Sequence, residues 1–430
     1  MKKLMIGLLT AVCVLAVSCS KENKNGEAVT LSVYMQMDLA HPMSEYWPVT
    51  LEAFAQKYPD IKLEFDYISG EPFHDKFQAM AASGDIPDLF TCYAGTRSSY
   101  LLSRGLVKDL RPYLDDQFKS NFNGAIWEPQ GPNGEIYIVS PNIAVCTEIF
   151  VNTKLQKQLG LDMPLTLDEM IAQAPEIRKA GLTPLMFANK ASWQATSLLL
   201  STLVDRTAGR AWFDAAISGA AAFSDAPFVD ALSIIKRMVD TQLFPQGVNQ
   251  LEDPESWGAF VQGKAVYLLE AGWRIAALKN AAAPEDYEQY QVIPFPAVNG
   301  EVNKGSSAGT LGEALAMNAH LSKEKADAAW KFISFIYGEE GADILMKYGS
   351  LPTYKLDYSR YDIDALNRQY IELTGVQPLG YVIDGKMDGE GVHNILDSGL
   401  QAVMMGTKTP EELASEYEAW VAANDPVRKK

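Results

Sequence analysis

Met80-Ala81-Ala82-Ser83-Gly84-Asp85-Ile86-Pro87-Asp88-Leu89-Phe90, continuing as Thr91-Cys92-Tyr93, is the stretch whose reading decides the fold. Ahead of it Phe73, Phe77 and Met80 recur at helical spacing, so a helix runs toward Gly84. Glycine there closes the helix in a left-handed conformation, and Pro87 forbids its continuation. Leu89 to Tyr93 then reads as a short buried strand, with the turn residues Ala94-Gly95-Thr96 beyond it. Ligands of open α/β sheets sit beyond the carboxyl ends of strands. The Tyr93–Arg97 loop lies at such an end.

Working outward, Val29 to Met35 alternates as a first strand and runs into the polar loop Gln36 to Pro42. A helix carrying Tyr46, Leu51, Phe54 and Tyr58 follows, then the alternating strand Ile61 to Tyr67. This β-α-β-α-β opening calls for a parallel sheet covered by helices. Downstream, Leu101 to Leu114 reads as a helix broken at Gly105, and Glu135 to Pro141 and Thr147 to Asn152 as strands. Thr166-Leu167-Asp168-Glu169 has the capping-box pattern and opens a helix running to Ala180-Gly181. Helices are expected from Trp193 to Leu203, Phe228 to Leu243 and Trp257 to Phe260, and strands at Pro184 to Phe187, Ala265 to Glu270, Gln291 to Pro296 and Glu313 to Met317. Ser322 starts a strongly periodic helix, and Pro410 to Ala423 is the last.

Lys2 and Lys3 precede an apolar run, Leu4 to Val17, that is too short to span a bilayer as a mature helix. Leu15-Ala16-Val17-Ser18-Cys19, followed by a polar tether to about Ala28, resembles the lipobox of bacterial lipoproteins. That resemblance implies a leader over 1–18, lipidation of Cys19 and a tether over 19–28; the other reading is an ordinary signal peptide cut nearby. Acyl chains contribute about 0.8 kcal/mol per buried CH₂, enough in combination to hold a domain at a membrane surface. Cys92 and Cys146 remain in the body, either as one disulfide or as free buried thiols. A net charge of −17 argues against a nucleic-acid partner. A chain of 430 residues, 47% of them apolar, exceeds one core and calls for two lobes.

The ordered series of motifs resembles a family. Tyr58-Pro59-Asp60-Ile61, Ala82-Ser83-Gly84-Asp85-Ile86-Pro87-Asp88, Phe150-Val151-Asn152-Thr153-Lys154 and Pro164-Leu165-Thr166-Leu167 are similar to the extracellular solute-binding proteins of carbohydrate ABC importers, which include the maltose/maltodextrin-binding proteins. So are Phe260-Val261-Gln262-Gly263-Lys264-Ala265-Val266-Tyr267 with Gly272-Trp273, Ala328-Ala329-Trp330-Lys331-Phe332-Ile333 and Gly349-Ser350-Leu351-Pro352. The resemblance implies an α/β, two-lobed periplasmic binding protein-like fold of type II, each lobe a mostly parallel sheet flanked by helices. The lobes would comprise 29–143 with 295–352, and 144–294 with 353–430. A hinge would cross near Pro141–Val145, Ile293–Phe295 and Pro352–Tyr354. It also implies a non-catalytic, extracytoplasmic, lipid-anchored monomer that needs no cofactor. Such a protein captures a sugar by hinge closure and passes it to ABC permease subunits.

Sugar faces suit aromatic rings, and sugar hydroxyls suit carboxylates, amides and Arg. On the second lobe, the resemblance and the strand-end positions nominate Trp273 with Glu270, Asn189 with Trp193, and His393 with Asn394. On the first lobe they nominate Gln36, Asp38, His41, Tyr93 and Arg97; Trp47 either covers the cleft or packs a helix. His393 stands where the family often has an aromatic, which points to a different ligand. Asp38, Glu148 and Glu270 suggest a polyamine or other non-sugar solute as a second reading. A surface polysaccharide-degrading enzyme is a third, and it would need two carboxylates flanking a sugar. Gly305-Ser306-Ser307-Ala308-Gly309 matches a nucleophile-elbow pattern but follows a polar loop, not a buried strand. Asp384-Gly385-Lys386-Met387-Asp388-Gly389 lacks carboxylates at calcium-loop positions three and twelve, Lys386 and Ile395. No metal constellation is expected.

Overall fold

The computed structural model describes residues 28–37, 46–68, 71–95, 98–122, 124–131, 133–348 and 352–425. Asp38, His41, Arg97 and the leader with Cys19 lie outside the described residues. In chain order the described strands are β1 (Val29–Gln36), β2 (Ile61–Ile68), β3 (Leu89–Cys92), β4 (Ile143–Val145), β5 (Glu148–Asn152) and β6 (Thr183–Met186). They continue with β7 (Ala265–Glu270), β8 (Tyr290–Pro294), β9 (Ser307–Leu311), β10 (Ala314–Met317) and β11 (Leu379–Tyr381). Three sheets result among these residues, ordered β10-β3-β1-β2, β11-β9-β4 and β6-β7-β5-β8.

The opening stretch folds as its residues require. Helix Glu71–Ser83 stops at Gly84, which has φ +75°, and β3 is buried along its whole length. Asp88 then fastens the stretch to its neighbours. Its Oδ2 accepts from Ser32 N (2.9 Å) on β1 and from Lys325 Nζ (2.7 Å) on helix Lys323–Tyr337. β1 lies parallel to β2 and β3, and β10 closes the sheet antiparallel to β3. One core, which includes Leu31, Phe73, Phe77, Leu89, Phe90, Phe332 and Ile333, fills the space between sheet and helices.

Two expected elements of this half differ. The helix predicted over Leu101 to Leu114 ends after Ser99–Leu102, and the chain turns extended instead. Val107 bridges Asn318, and Lys108 N donates to Met317 O (2.8 Å), so pairing along β10 overrides the helical spacing of leucines. Glu135 to Pro141 is extended but joins no sheet. Gln130 Oε1 accepts from Tyr137 N (2.8 Å) and Ile138 N (3.0 Å), so a side chain takes the donors a ladder would have used.

A second core is built from Ile149, Val151, Leu185, Leu199, Phe228, Tyr267, Leu396, Leu400 and Tyr417, among others. The capping box at Thr166 forms as read, with Glu169 N donating to Thr166 Oγ1 (3.2 Å). Strand direction in this sheet departs from the mostly parallel expectation. Only β6 and β7 are parallel; β5 runs antiparallel to both β7 and β8. Connectivity is the cause, because β5 carries the chain away from the crossing segment and β8 brings it back.

The crossing itself is the antiparallel pair β4–β9. Ile143 and Leu311 pack on the first core, whereas Cys146 and Ala308 belong to the second. Residues 295–306 are clamped to the second core by buried Arg206. Its guanidinium donates to Phe295 O, Pro296 O, Ser306 O and Glu301 Oε1, each at 2.8 Å. Thr353 N donates to Pro141 O (2.7 Å), and Tyr361 Oη to Asp343 Oδ1 (2.7 Å), in the first half. Asp364 already accepts from Lys279 Nζ (2.9 Å) in the second.

Candidate functional site

The crossing strands locate the site. β10 begins opposite Cys92 directly after β9, and β5 begins opposite Glu270 shortly after β4. Both crossing strands therefore enter their sheets at the edges where the parallel strands end. Those edges carry Gln36 and Tyr93 on one side, and Glu270, Trp273 and the 187–193 loop on the other.

On the first side the tyrosine is the centre. Tyr93 Oη donates to Gln36 Oε1 (2.6 Å) and also lies within hydrogen-bond reach of the exposed Glu313 carboxylate. The His74 ring sits 5.6 Å from the Tyr93 ring. Ser98 ties the loop, its Oγ accepting from Tyr93 N (3.0 Å) and its N–H donating to Gly95 O (3.3 Å). Sequence reasoning missed Glu313 and His74. The signal for Glu313 was an acid between Gly312 and a buried strand. Trp47 is buried in the first core, which assigns it to packing.

On the second side Trp273 follows β7 and stands just before helix Arg274–Ala281, 39% exposed although it is a large apolar side chain. The residues around it are anchored. Arg274 Nε donates to Glu270 Oε2 (2.9 Å), and its Nη2 to Asp253 Oδ2 (2.6 Å). Glu270, predicted to accept from ligand hydroxyls, is buried and engages Arg274 and Ala271 N (3.0 Å). Burial pushes its carboxyl up, to about 7, with Arg274 opposing and Asp253 adding to the shift.

Asn189 is likewise fully buried. Its Nδ2 donates to Asn249 Oδ1 (2.9 Å) and its Oδ1 accepts from Ala195 N (3.0 Å), which fixes the loop that presents half-buried Trp193. Within that loop Ser192 holds φ +63°, a costly conformation for a non-glycine residue. The π-type turn Ala195–Leu200 follows, and a second one, Val392–Asp397, carries His393 and Asn394. Such wide turns concentrate at functional sites. Thr196 Oγ1 donates to buried Asp397 Oδ1 (2.5 Å) and so joins the two. Asp397 Oδ2 lies 3.2 Å from His393 Nδ1, and that imidazole is 68% exposed. Asn394 is exposed beside it.

Residues 40–343 match the family model described as bacterial extracellular solute-binding protein. The chain belongs to that family. As a solute-binding protein it is similar to an uncharacterized ABC transporter extracellular-binding protein of Pyrococcus horikoshii, 23% identical over 258 residues, covering 59% of this chain and 58% of the relative. A solved structure from work on xylan utilization by Caldanaerobius polysaccharolyticus superposes with a TM-score of 0.81 at 20% identity, covering 91% of this chain and 100% of the other. A chitin oligosaccharide binding protein gives 0.78 at 23% identity, over 90% and 97% of the two chains. The fold is the two-lobed α/β arrangement of type II periplasmic solute-binding proteins.

The remaining motifs of this solute-binding protein have structural duties. Ser306 Oγ donates to Asn303 O (3.2 Å) and Ser307 Oγ to Thr147 O (3.2 Å), within the crossing segment. Asp388 caps the short turn Gly389–Gly391. Cys92 and Cys146 are free and buried. Among the described residues no group of three or more His, Cys, Asp or Glu side chains could hold a metal ion, and no helix is long and apolar enough to cross a membrane.

Proposed function

We propose that this protein is a non-catalytic receptor that captures a sugar or oligosaccharide between its lobes and delivers it to an ABC importer. The lobes would be 29–142 with 312–361, and 146–306 with 364–425, crossing at β4, β9 and residues 361–364. One observation carries the reading: an exposed Trp273 at the strand ends of one lobe, and the Tyr93–Gln36–Glu313 cluster at the strand ends of the other. An aromatic face and fixed polar groups are the two things a sugar requires. Names of similar proteins, which speak of xylan utilization and chitin oligosaccharide, support the class without choosing the guest. Trp193, His393 and Asn394 would add contacts from the second lobe; Asn189 and Glu270 would act by positioning Trp193 and Trp273. Asp38, His41 and Arg97 complete the proposed first-lobe set. A lipid on Cys19 would hold the receptor, as a monomer, at the outer face of a membrane beside its permease.

The exposed carboxylate of Glu313 favours a second reading, a polyamine or other cationic solute. A thermal-shift screen separates the two. A ligand at 100 times its Kd adds about 2.7 kcal/mol of stability, so sugars should raise the melting temperature and polyamines should not. A shift with polyamines alone would reverse the assignment.

A further inference from the structure

Gly95 and Gly385 belong to different lobes, and their backbones meet. A Cβ built on Gly95 would lie 2.2 Å from Gly385 O, nearer than real side chains approach, and 3.2 Å from Gly385 C. Each partner is held firmly from behind. Gly95 sits in the loop after β3 that Ser98 ties to Tyr93. Gly385 ends the turn Ile383–Gly385, which the second lobe grips from helix Ser201–Thr207 and the preceding π-type turn. Ser201 Oγ accepts from Ile383 N (3.0 Å), and Ser197 Oγ donates to Asp384 Oδ2 (2.9 Å). Ile383 itself is in the second core.

From this geometry we infer that Gly95 and Gly385 form a closure latch, in which the missing side chain at position 95 sets how near the lobes come. Gly95 is thus a positioning residue for ligand capture, acting without touching the ligand. The inference rests on the receptor reading, since closure is what traps a solute between lobes. Any β-carbon at position 95 displaces Gly385 and, with it, the turn joined to Ser197. Because both sides are anchored, the lobes part rather than the turns yielding. A closed state that is less populated lowers apparent affinity in proportion.

Wild type, Gly95→Ala and Gly84→Ala test this by titration with chito-oligosaccharides and xylo-oligosaccharides and by small-angle X-ray scattering. Gly84 has φ +75° with nothing within 4 Å of a built Cβ, so Gly84→Ala reports backbone strain without a clash. If wild type binds a probe, Gly95→Ala weakens binding about tenfold or more while Gly84→Ala stays within about twofold. Equal affinity in Gly95→Ala overturns the latch and leaves the receptor reading intact. If wild type binds no sugar, that reading fails and scattering decides the latch: a larger radius of gyration in Gly95→Ala alone upholds it, and an unchanged one overturns it.

Discussion

Tyr370 sets its phenol end against the backbone of Gly272, so closely that a Cβ at 272 would fall 2.1 Å from Tyr370 Cζ and 2.2 Å from its hydroxyl oxygen. Tyr370 lies on helix Ala365–Val376, the first helix after the chain returns to the second lobe, and Gly272 immediately precedes Trp273. The contact therefore ties the third crossing to the exposed tryptophan. Gly272→Ala overfills this site, with an expected loss of about 1–3 kcal/mol. The same substitution should weaken sugar binding by displacing Trp273. Urea denaturation checks the first outcome and calorimetric titration the second; an unchanged midpoint would contradict the packing.

Asp88 and Lys325 test whether the opening stretch is scaffold. The Asp88 side chain is 11% exposed and Lys325 is 42% exposed. Asp88→Ala leaves Ser32 N–H without its acceptor, and should cost about 1–3 kcal/mol. Lys325→Ala removes only the wetter partner, and should cost less than about 1 kcal/mol. Neither should alter the affinity of the folded protein. Comparing the two denaturation curves tests the asymmetry, and equal losses would contradict it.

Glu148 begins β5 opposite Glu270, and both its carboxylate oxygens are buried. Burial pushes its carboxyl well above the ordinary value of 4.5; Arg206, Ser307 and Gln377 pull the other way. A raised carboxyl value means the folded state holds the proton more tightly than the unfolded one. The contribution to stability is thus fully present below 4.5 and is lost as pH rises through the folded value. Glu148→Gln should therefore be more stable than wild type at pH 8, with the gap closing toward about pH 4–5. Denaturation across that range measures it; a gap that widens toward acid would contradict the sign.

Much of this was legible in the residues themselves, wherever a local signal decided the outcome. Gly84 and Pro87 place the turn before β3, Thr166 and Glu169 cap their helix, and Ser322 caps Lys323–Tyr337. Local spacing misled where a distant partner prevailed, as when Val107 and Lys108 paired with Asn318 and Met317. Nothing near Phe295 announces that Arg206 will hold it. For the site, residue type and strand-end position nominated Tyr93 and Trp273. They did not tell an exposed side chain from a buried one. Glu270 and Asn189 are buried and held by Arg274, Asn249 and Ala195, and those contacts exist only in three dimensions.

The central claim, sugar capture against Trp273, is tested most directly by isothermal titration of wild type and Trp273→Ala with chito-oligosaccharides, xylo-oligosaccharides and spermidine. The account predicts that wild type binds one sugar class and not spermidine. It also predicts that Trp273→Ala binds that sugar at least about tenfold more weakly, with its melting temperature unchanged because the ring is already exposed. Sugar binding that survives Trp273→Ala undiminished, or binding of spermidine with no sugar bound, would contradict it.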